Sequence, residues 1–368
     1  MKTSTEPTSL YPLLEETRNA SFAMASLTTE RKNESLEIFA RLIEEHREFL
    51  LQQNELNCRE EREGLEDSLY QRLVLSEKKL DALVQGMRDL VRLEDPVGRV
   101  LSRRKLAEGL VLEKESAPLG VIGIVFESRP DVIPQILSLA LKSGNAVVLK
   151  GGAEALRSNQ AFMTLVQKLN RACAWLPEGW ARLLTTREEF QEMLAYPELV
   201  DLVIPRGSGE LVRRVMEATR IPVLGHTEGI CHLFVHRKAD LQRALPLVLD
   251  AKTDYPAACN ALETLLVDES VAAAFLPGFD AAARHAGIRV KGCPATRAIL
   301  PLVDEADERD WRTEYGDLTL SIRVVAGLSD AVDHINRYGS HHTDGILTED
   351  PAAREEFLRR VDSACVFS

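Results

Sequence analysis

Cys259 stands in the stretch DAKTDYPAACNALETLLV, residues 250–267, where a helical pattern gives way to an apolar strand. The small residues Ala257, Ala258 and Ala261 flank the thiol and leave room for a substrate, and Asn260 adds a polar side chain. A thiolate in such a connection can attack a carbonyl carbon while neighbouring N–H groups hold the carbonyl oxygen. An isolated cysteine is more often a small buried hydrophobe, so the other candidate groups carry weight. Lys150-Gly151-Gly152 follows the apolar run 146–149 and places a cation and flexible backbone at the carboxyl end of a strand, where ligands of open α/β sheets bind. Arg206-Gly207-Ser208-Gly209 follows the run 202–204 and opens a helix, which presents N–H groups and the Ser208 hydroxyl to a phosphate. The turn 127–131 offers Arg129, whose guanidinium can fork around a carboxylate or phosphate. A plainer reading of that turn makes it a helix entry with Asp131 as N-cap.

Other chemistries find no support. No GxGxxG follows a strand, and no HExxH occurs among the eight histidines. Cys58, Cys173, Cys231, Cys259, Cys293 and Cys365 are spread without CxxC or metal-ligand spacing, and the adjacent His341 and His342 would point apart. No metal is expected, and the thiols are expected to be reduced. Asp and Glu number 57 against 45 Lys and Arg, a formal net charge of −12, which repels nucleic acid and anionic membranes. No secretory n-region and no run of about 18 apolar residues is present, so a soluble cytoplasmic protein is expected.

The elements that must position these groups follow from periodicity. Residues 1–12 are polar and read as a disordered leader. Apolar positions three and four apart predict amphipathic helices over 29–51 and 77–93. Two partly alternating runs in 99–119 predict an exposed hairpin whose unpaired edges call for charge or a partner strand. Short apolar strands at 121–126, 146–149, 181–184, 202–204 and 223–224 then alternate with helices at 131–142, 154–173, 188–195 and 209–218, and predict a parallel α/β unit. A second α/β unit follows from 229, with strands near 262–267, 288–290, 320–325, 345–347 and 364–367.

Taken together, PLGVIGIVFESRPD (118–131), LKSGNAVVLKGGAEALRSN (141–159), DLVIPRGS (201–208), IPVLGHTEGICH (221–232), the Cys259 stretch, TEYGDL (313–318) and YGSHHTDGILTED (338–350) form a pattern. The chain resembles the γ-glutamyl phosphate reductases, or glutamate-5-semialdehyde dehydrogenases, of the aldehyde dehydrogenase superfamily, from about residue 18 to the last. The reductase half of pyrroline-5-carboxylate synthase shares these motifs. The resemblance implies an NADPH-binding α/β domain over 13–98 and 120–228, an oligomerisation hairpin over 99–119 and a catalytic α/β domain over 229–368. It implies NADPH-dependent reduction of L-glutamyl 5-phosphate to L-glutamate 5-semialdehyde in proline biosynthesis, a homo-oligomer, and glutamate 5-kinase as a candidate partner. By the same resemblance Cys259 is the nucleophile, beside the polar Asn260 read from the stretch itself, and Arg129 falls where hydrolytic relatives keep an oxyanion-hole Asn. Lys150 falls near the adenosine ribose, Gly207 and Ser208 at the pyrophosphate, and Glu314 on the nicotinamide ribose. The general-base Glu of hydrolytic relatives is lacking near Leu224, as suits a substrate whose leaving group is already good. Gly316 stands where the resembled enzymes carry a bulky apolar residue, and those enzymes continue beyond the motif at 361–368. A chain short at that end is expected to lack part of the substrate wall, and an impaired fragment that only binds nucleotide or a partner subunit is the alternative.

Overall fold

The computed structural model describes residues 9–62, 64, 67–127 and 129–368, and the chain divides into a unit ending at Gly225 and a unit beginning at His226. That division falls three residues before the boundary expected from sequence.

The first unit opens with helix Tyr11–Ala25, so the leader expected over 1–12 ends sooner, and residues 1–8 of it lie outside the described residues. Leu10 is buried and donates its N–H to Glu192 Oε1 at 2.8 Å. Pro12 sits in the first helical turn, where its missing N–H costs nothing. The single helix expected over 29–51 is two, Thr29–Glu45 and Arg47–Glu61. The break is at His46, with φ −110° and ψ 20°, and its ring Nδ1 lies 2.9 Å from the Leu42 carbonyl oxygen. A side chain that enters the carbonyl ladder in this way bends a helix. Leu36, Phe39, Ala40 and Ile43 line the buried face, as the spacing requires. Helix Glu77–Arg92 matches its expected span.

Strands β1 (Val100–Ala107) and β2 (Leu110–Glu115) form an antiparallel hairpin in which every residue is exposed. Strands β3 (Val121–Phe126), β4 (Ala146–Gly151), β5 (Ala181–Leu184) and β6 (Leu202–Arg206) form a parallel sheet in the order β5-β4-β3-β6. All six residues of β3 are buried, which explains its uninterrupted apolar run. Gly144, at φ +69°, ends helix Val132–Ser143 in the left-handed conformation that lets the chain turn into β4. The run 223–224 forms no strand: Val223 makes one parallel bridge to Val203, next to Pro222, which has no N–H to extend a ladder. The chain runs outward from β3 through β4 to β5 and then returns to the other side of β3 with β6. The strand order therefore reverses at β3/β6, and the carboxyl ends of strands at such a point are where ligands of open α/β sheets bind.

The second unit is a seven-stranded parallel sheet of order β10-β9-β11-β8-β7-β12-β13, built from β7 (Cys231–Val235), β8 (Leu262–Asp268), β9 (Arg289–Gly292), β10 (Asp304–Glu305), β11 (Thr319–Val325), β12 (Thr343–Leu347) and β13 (Cys365–Phe367). Sequence reading missed β7 and β10. In β7 the polar His232 interrupts the apolar run, yet it is buried, with its Nδ1 2.9 Å from Asp344 Oδ1 on β12.

Behind this pair His334 is buried against His232, Trp311 and Tyr338. Burial, aided by His232, Arg323 and Arg337, pushes its pKa down to about 2. Below about pH 6.5 the unfolded chain binds a proton here that the native protein does not, so stability falls as pH drops from there towards 2. The slope from this one group is about 1.4 kcal/mol per pH unit. Denaturant titrations of His334→Leu between about pH 6 and 4 should show a correspondingly flatter pH dependence than the parent; equal slopes would contradict this.

Candidate active site

Helix Leu241–Thr253 delivers the chain to a pair of tight turns before β8. Ala258 N–H donates to Tyr255 O at 2.9 Å and Ala261 N–H to Ala258 O at 3.0 Å. Cys259 lies on these turns, half-buried, and Asn260 is exposed. The segment leading to β7 passes directly behind the thiol: a Cβ at Gly229 would come within 1.9 Å of the Cys259 carbonyl oxygen, so only glycine fits. Cys231 donates its Sγ–H to the same carbonyl at 3.3 Å. Burial, then Asp344, pushes Cys231 up to about 12, which keeps it a thiol.

Two imidazoles accompany Cys259, and sequence reading missed both roles. One ring nitrogen of His226, one of His342 and Cys259 Sγ all lie within 4.8 Å of one another. The two rings meet edge to face with centroids 4.6 Å apart. The absence of metal-ligand spacing along the chain says nothing of residues far apart in sequence, and here the fold joins three distant loops. His341 is held at φ +59°, a left-handed conformation that costs a non-glycine residue about 1–3 kcal/mol. The two rings take different partners. His341 Nδ1 lies 2.6 Å from the Asp362 carbonyl oxygen, while His342 turns towards Cys259. Burial, then His226, lowers the pKa of His342 and favours its neutral form.

Glu314 accepts the Gly229 N–H on Oε2 at 2.9 Å, so it is tied to the segment that backs the thiol. Gly316 sits at φ +64° with open space where a Cβ would be, so glycine suits this turn better than the bulky residue of the resembled enzymes. Its N–H donates to Glu263 Oε1 at 3.1 Å, and Glu263 Oε2 accepts from Lys252 Nζ at 2.8 Å. Both side chains of that ion pair are fully buried. Burial raises the pKa of Glu263, and Lys252 opposes it. A lysine on the inner face of helix Leu241–Thr253 was the only sequence signal for the pair.

In the first unit Lys150 is the penultimate residue of β4, contrary to the strand end expected at 149, while Glu127 and Gly207 directly follow the neighbouring strands β3 and β6. Ser208 caps helix Gly209–Ala218, its Oγ accepting the Leu211 N–H at 3.4 Å. The Ser208 N–H donates to Glu127 Oε2 at 3.2 Å, so a carboxylate already occupies the place an anion would take at this helix start. A Cβ at Gly207 would come 2.7 Å from the Glu127 carboxylate and 2.8 Å from Leu211 Cδ2, so a larger residue would have to displace these side-chain ends. Lys150 is half-buried and donates to the Gly151 carbonyl; burial lowers its pKa, and Glu154 and Glu189 oppose that. Arg129 is half-buried, and its carbonyl accepts the Val132 N–H at 3.2 Å. Asp131 is no side-chain cap: its Oδ2 accepts instead from Gln135 Nε2 at 3.3 Å.

The chain joins one parallel sheet to a second that carries a thiol at a helix–strand turn, and the aldehyde dehydrogenase family model matches residues 12–310, which places the chain in that family. Gamma-glutamyl phosphate reductase of Synechococcus sp. (strain JA-3-3Ab) is 49% identical over 95% of the chain and 78% of its own length, and that of Pelotomaculum thermopropionicum is 48% identical over 96% and 82%. The crystal structure of gamma-glutamyl phosphate reductase from Thermotoga maritima superposes with a TM-score of 0.94 at 37% identity, covering 98% of this chain and 87% of that one. The chain belongs to the gamma-glutamyl phosphate reductase family. Among the described residues no helix is long and apolar enough to cross a membrane.

Proposed function

We propose that the chain reduces L-glutamyl 5-phosphate to L-glutamate 5-semialdehyde and phosphate in proline biosynthesis, with NADPH as cofactor. The observation that carries this reading is Cys259, half-buried on a small-residue turn beside two imidazoles, in a chain 49% identical to a named reductase. His226 and His342 can take the thiol proton. The thiolate attacks the γ-carbonyl carbon, a C–S bond forms, and the C–O bond breaks with phosphate leaving on the electron pair. Arg129 is proposed to hold the anionic oxygens and Asn260 to help orient the acyl group. A bound nicotinamide cofactor would supply the hydride that reduces the thioester, and the C–S bond would then break to return Cys259 as the thiolate. Leu224 supplies no carboxylate to activate water, which suits an enzyme whose thioester must survive until it is reduced.

Ser208 N–H and Gly207 are proposed to hold the pyrophosphate after Glu127 yields its place, Lys150 the adenosine side, and Glu314 the nicotinamide ribose. A charge-assisted hydrogen bond from Lys150 is worth about 1.5–3 kcal/mol net. Lys150→Ala should therefore weaken NADPH binding by roughly one to two orders of magnitude in a fluorescence titration; unchanged affinity would make Lys150 a bystander. The hairpin supports a homo-oligomer, because Val100, Leu101, Leu106, Leu110 and Leu112 are each exposed by more than half and its strands leave open edges. Glutamate 5-kinase is the proposed protein partner.

A further inference from the structure

We propose that His226, Cys259 and His342 form a binding site for a thiophilic divalent cation, Zn²⁺ above all, which on binding holds the enzyme inactive. One thiolate and two imidazoles are a ligand set that zinc favours, and three protein ligands leave a fourth position for water. The three donor atoms lie within 4.8 Å of one another. Tetrahedral zinc, with bonds of roughly 2.0–2.3 Å, needs ligand atoms about 3.3–3.6 Å apart. The remaining closure of about 1 Å falls to His226, which is exposed and can rotate. His342 is held from behind, its Nδ1 2.8 Å from Thr343 Oγ1, which orients the ring. Cys259 is fixed by Gly229 and Cys231 on its carbonyl side.

Binding is a simple exchange. The thiol proton leaves to solvent, a sulfur–metal bond forms, and nothing is oxidised or reduced. The sulfur electron pair that would attack the acyl carbon is then committed to the metal, so cation and acyl substrate exclude each other. The site stands on geometry alone and does not depend on which acyl phosphate the enzyme reduces.

The test is Co²⁺ titration of the intact chain, followed by competition with Zn²⁺ and by equilibrium dialysis. One ion per chain with a thiolate-to-cobalt charge-transfer band is expected, with Zn²⁺ displacing Co²⁺. Zinc should also shield Cys259 from iodoacetamide, and a chelator should restore both labelling and turnover. Cys259→Ser should abolish the band and weaken binding by more than about a hundredfold, and His342→Ala by a similar factor. Thr343→Val, which leaves all three ligands in place, should weaken binding by roughly tenfold. Cobalt bound without a thiolate band, or zinc bound with unchanged affinity and stoichiometry in Cys259→Ser, would overturn the proposal. Turnover that needs Cys259 without any metal binding would remove the metal site and leave the reductase reading intact.

Discussion

Cys259→Ser should lower turnover by at least about four orders of magnitude, because no other group supplies the covalent step and residues acting as a unit fail together. Cofactor binding should survive, since the phosphate turn and Lys150 belong to the other unit. The remaining thiols offer no substitute. Cys58 and Cys173 are buried and pushed up by that burial, and Cys293 is buried. Cys365 is exposed but lies on β13, with no imidazole pair described beside it. Serine at Cys58, Cys173, Cys293 or Cys365 should leave turnover within a few-fold of the parent. Steady-state rates with a parallel NADPH titration check both halves, and substantial activity in Cys259→Ser would sink the covalent route.

The second large effect belongs to the buried pair beneath the site. Lys252→Met leaves the Glu263 carboxylate uncompensated in the interior, and the expected loss of stability is about 3–5 kcal/mol in urea unfolding. Lys252→Met combined with Glu263→Gln should recover much of that loss, since the cost lies in the orphaned charge rather than in the missing attraction. The same carboxylate accepts the Gly316 N–H two residues beyond Glu314, so Glu263→Gln should also raise KM for the cofactor more than it lowers kcat. A loss below about 1 kcal/mol in Lys252→Met would mean that water reaches the pair.

Much of this was legible from the chain, and the parts that were not share a cause. Local patterns carried the apolar runs of β3, β4 and β8, the helix Glu77–Arg92 and the turn around Cys259, because burial on one face writes itself into spacing. The expected α/β fold and the aldehyde dehydrogenase likeness held. Long-range partners escaped. His232 looks like a strand breaker until Asp344 is placed beside it. Lys252 looks like a solvated cation until Glu263 arrives from β8. His226 and His342 acquire meaning only when the turns that carry them meet at Cys259. Leu10 read as leader because the Glu192 carboxylate that receives its N–H lies far along the chain.

The most direct measurement runs the reaction backwards, with glutamate 5-semialdehyde and NADP⁺, first without phosphate and then with it. A chain that forms a Cys259 thioester and cannot activate water should give a burst of NADPH of about one per active site and then stall. Added phosphate should restore steady turnover by carrying the acyl group away, and Cys259→Ser should give neither burst nor turnover. Steady NADPH production without phosphate, or a rate indifferent to phosphate, would show hydrolysis in place of acyl-phosphate chemistry and contradict the proposed reaction.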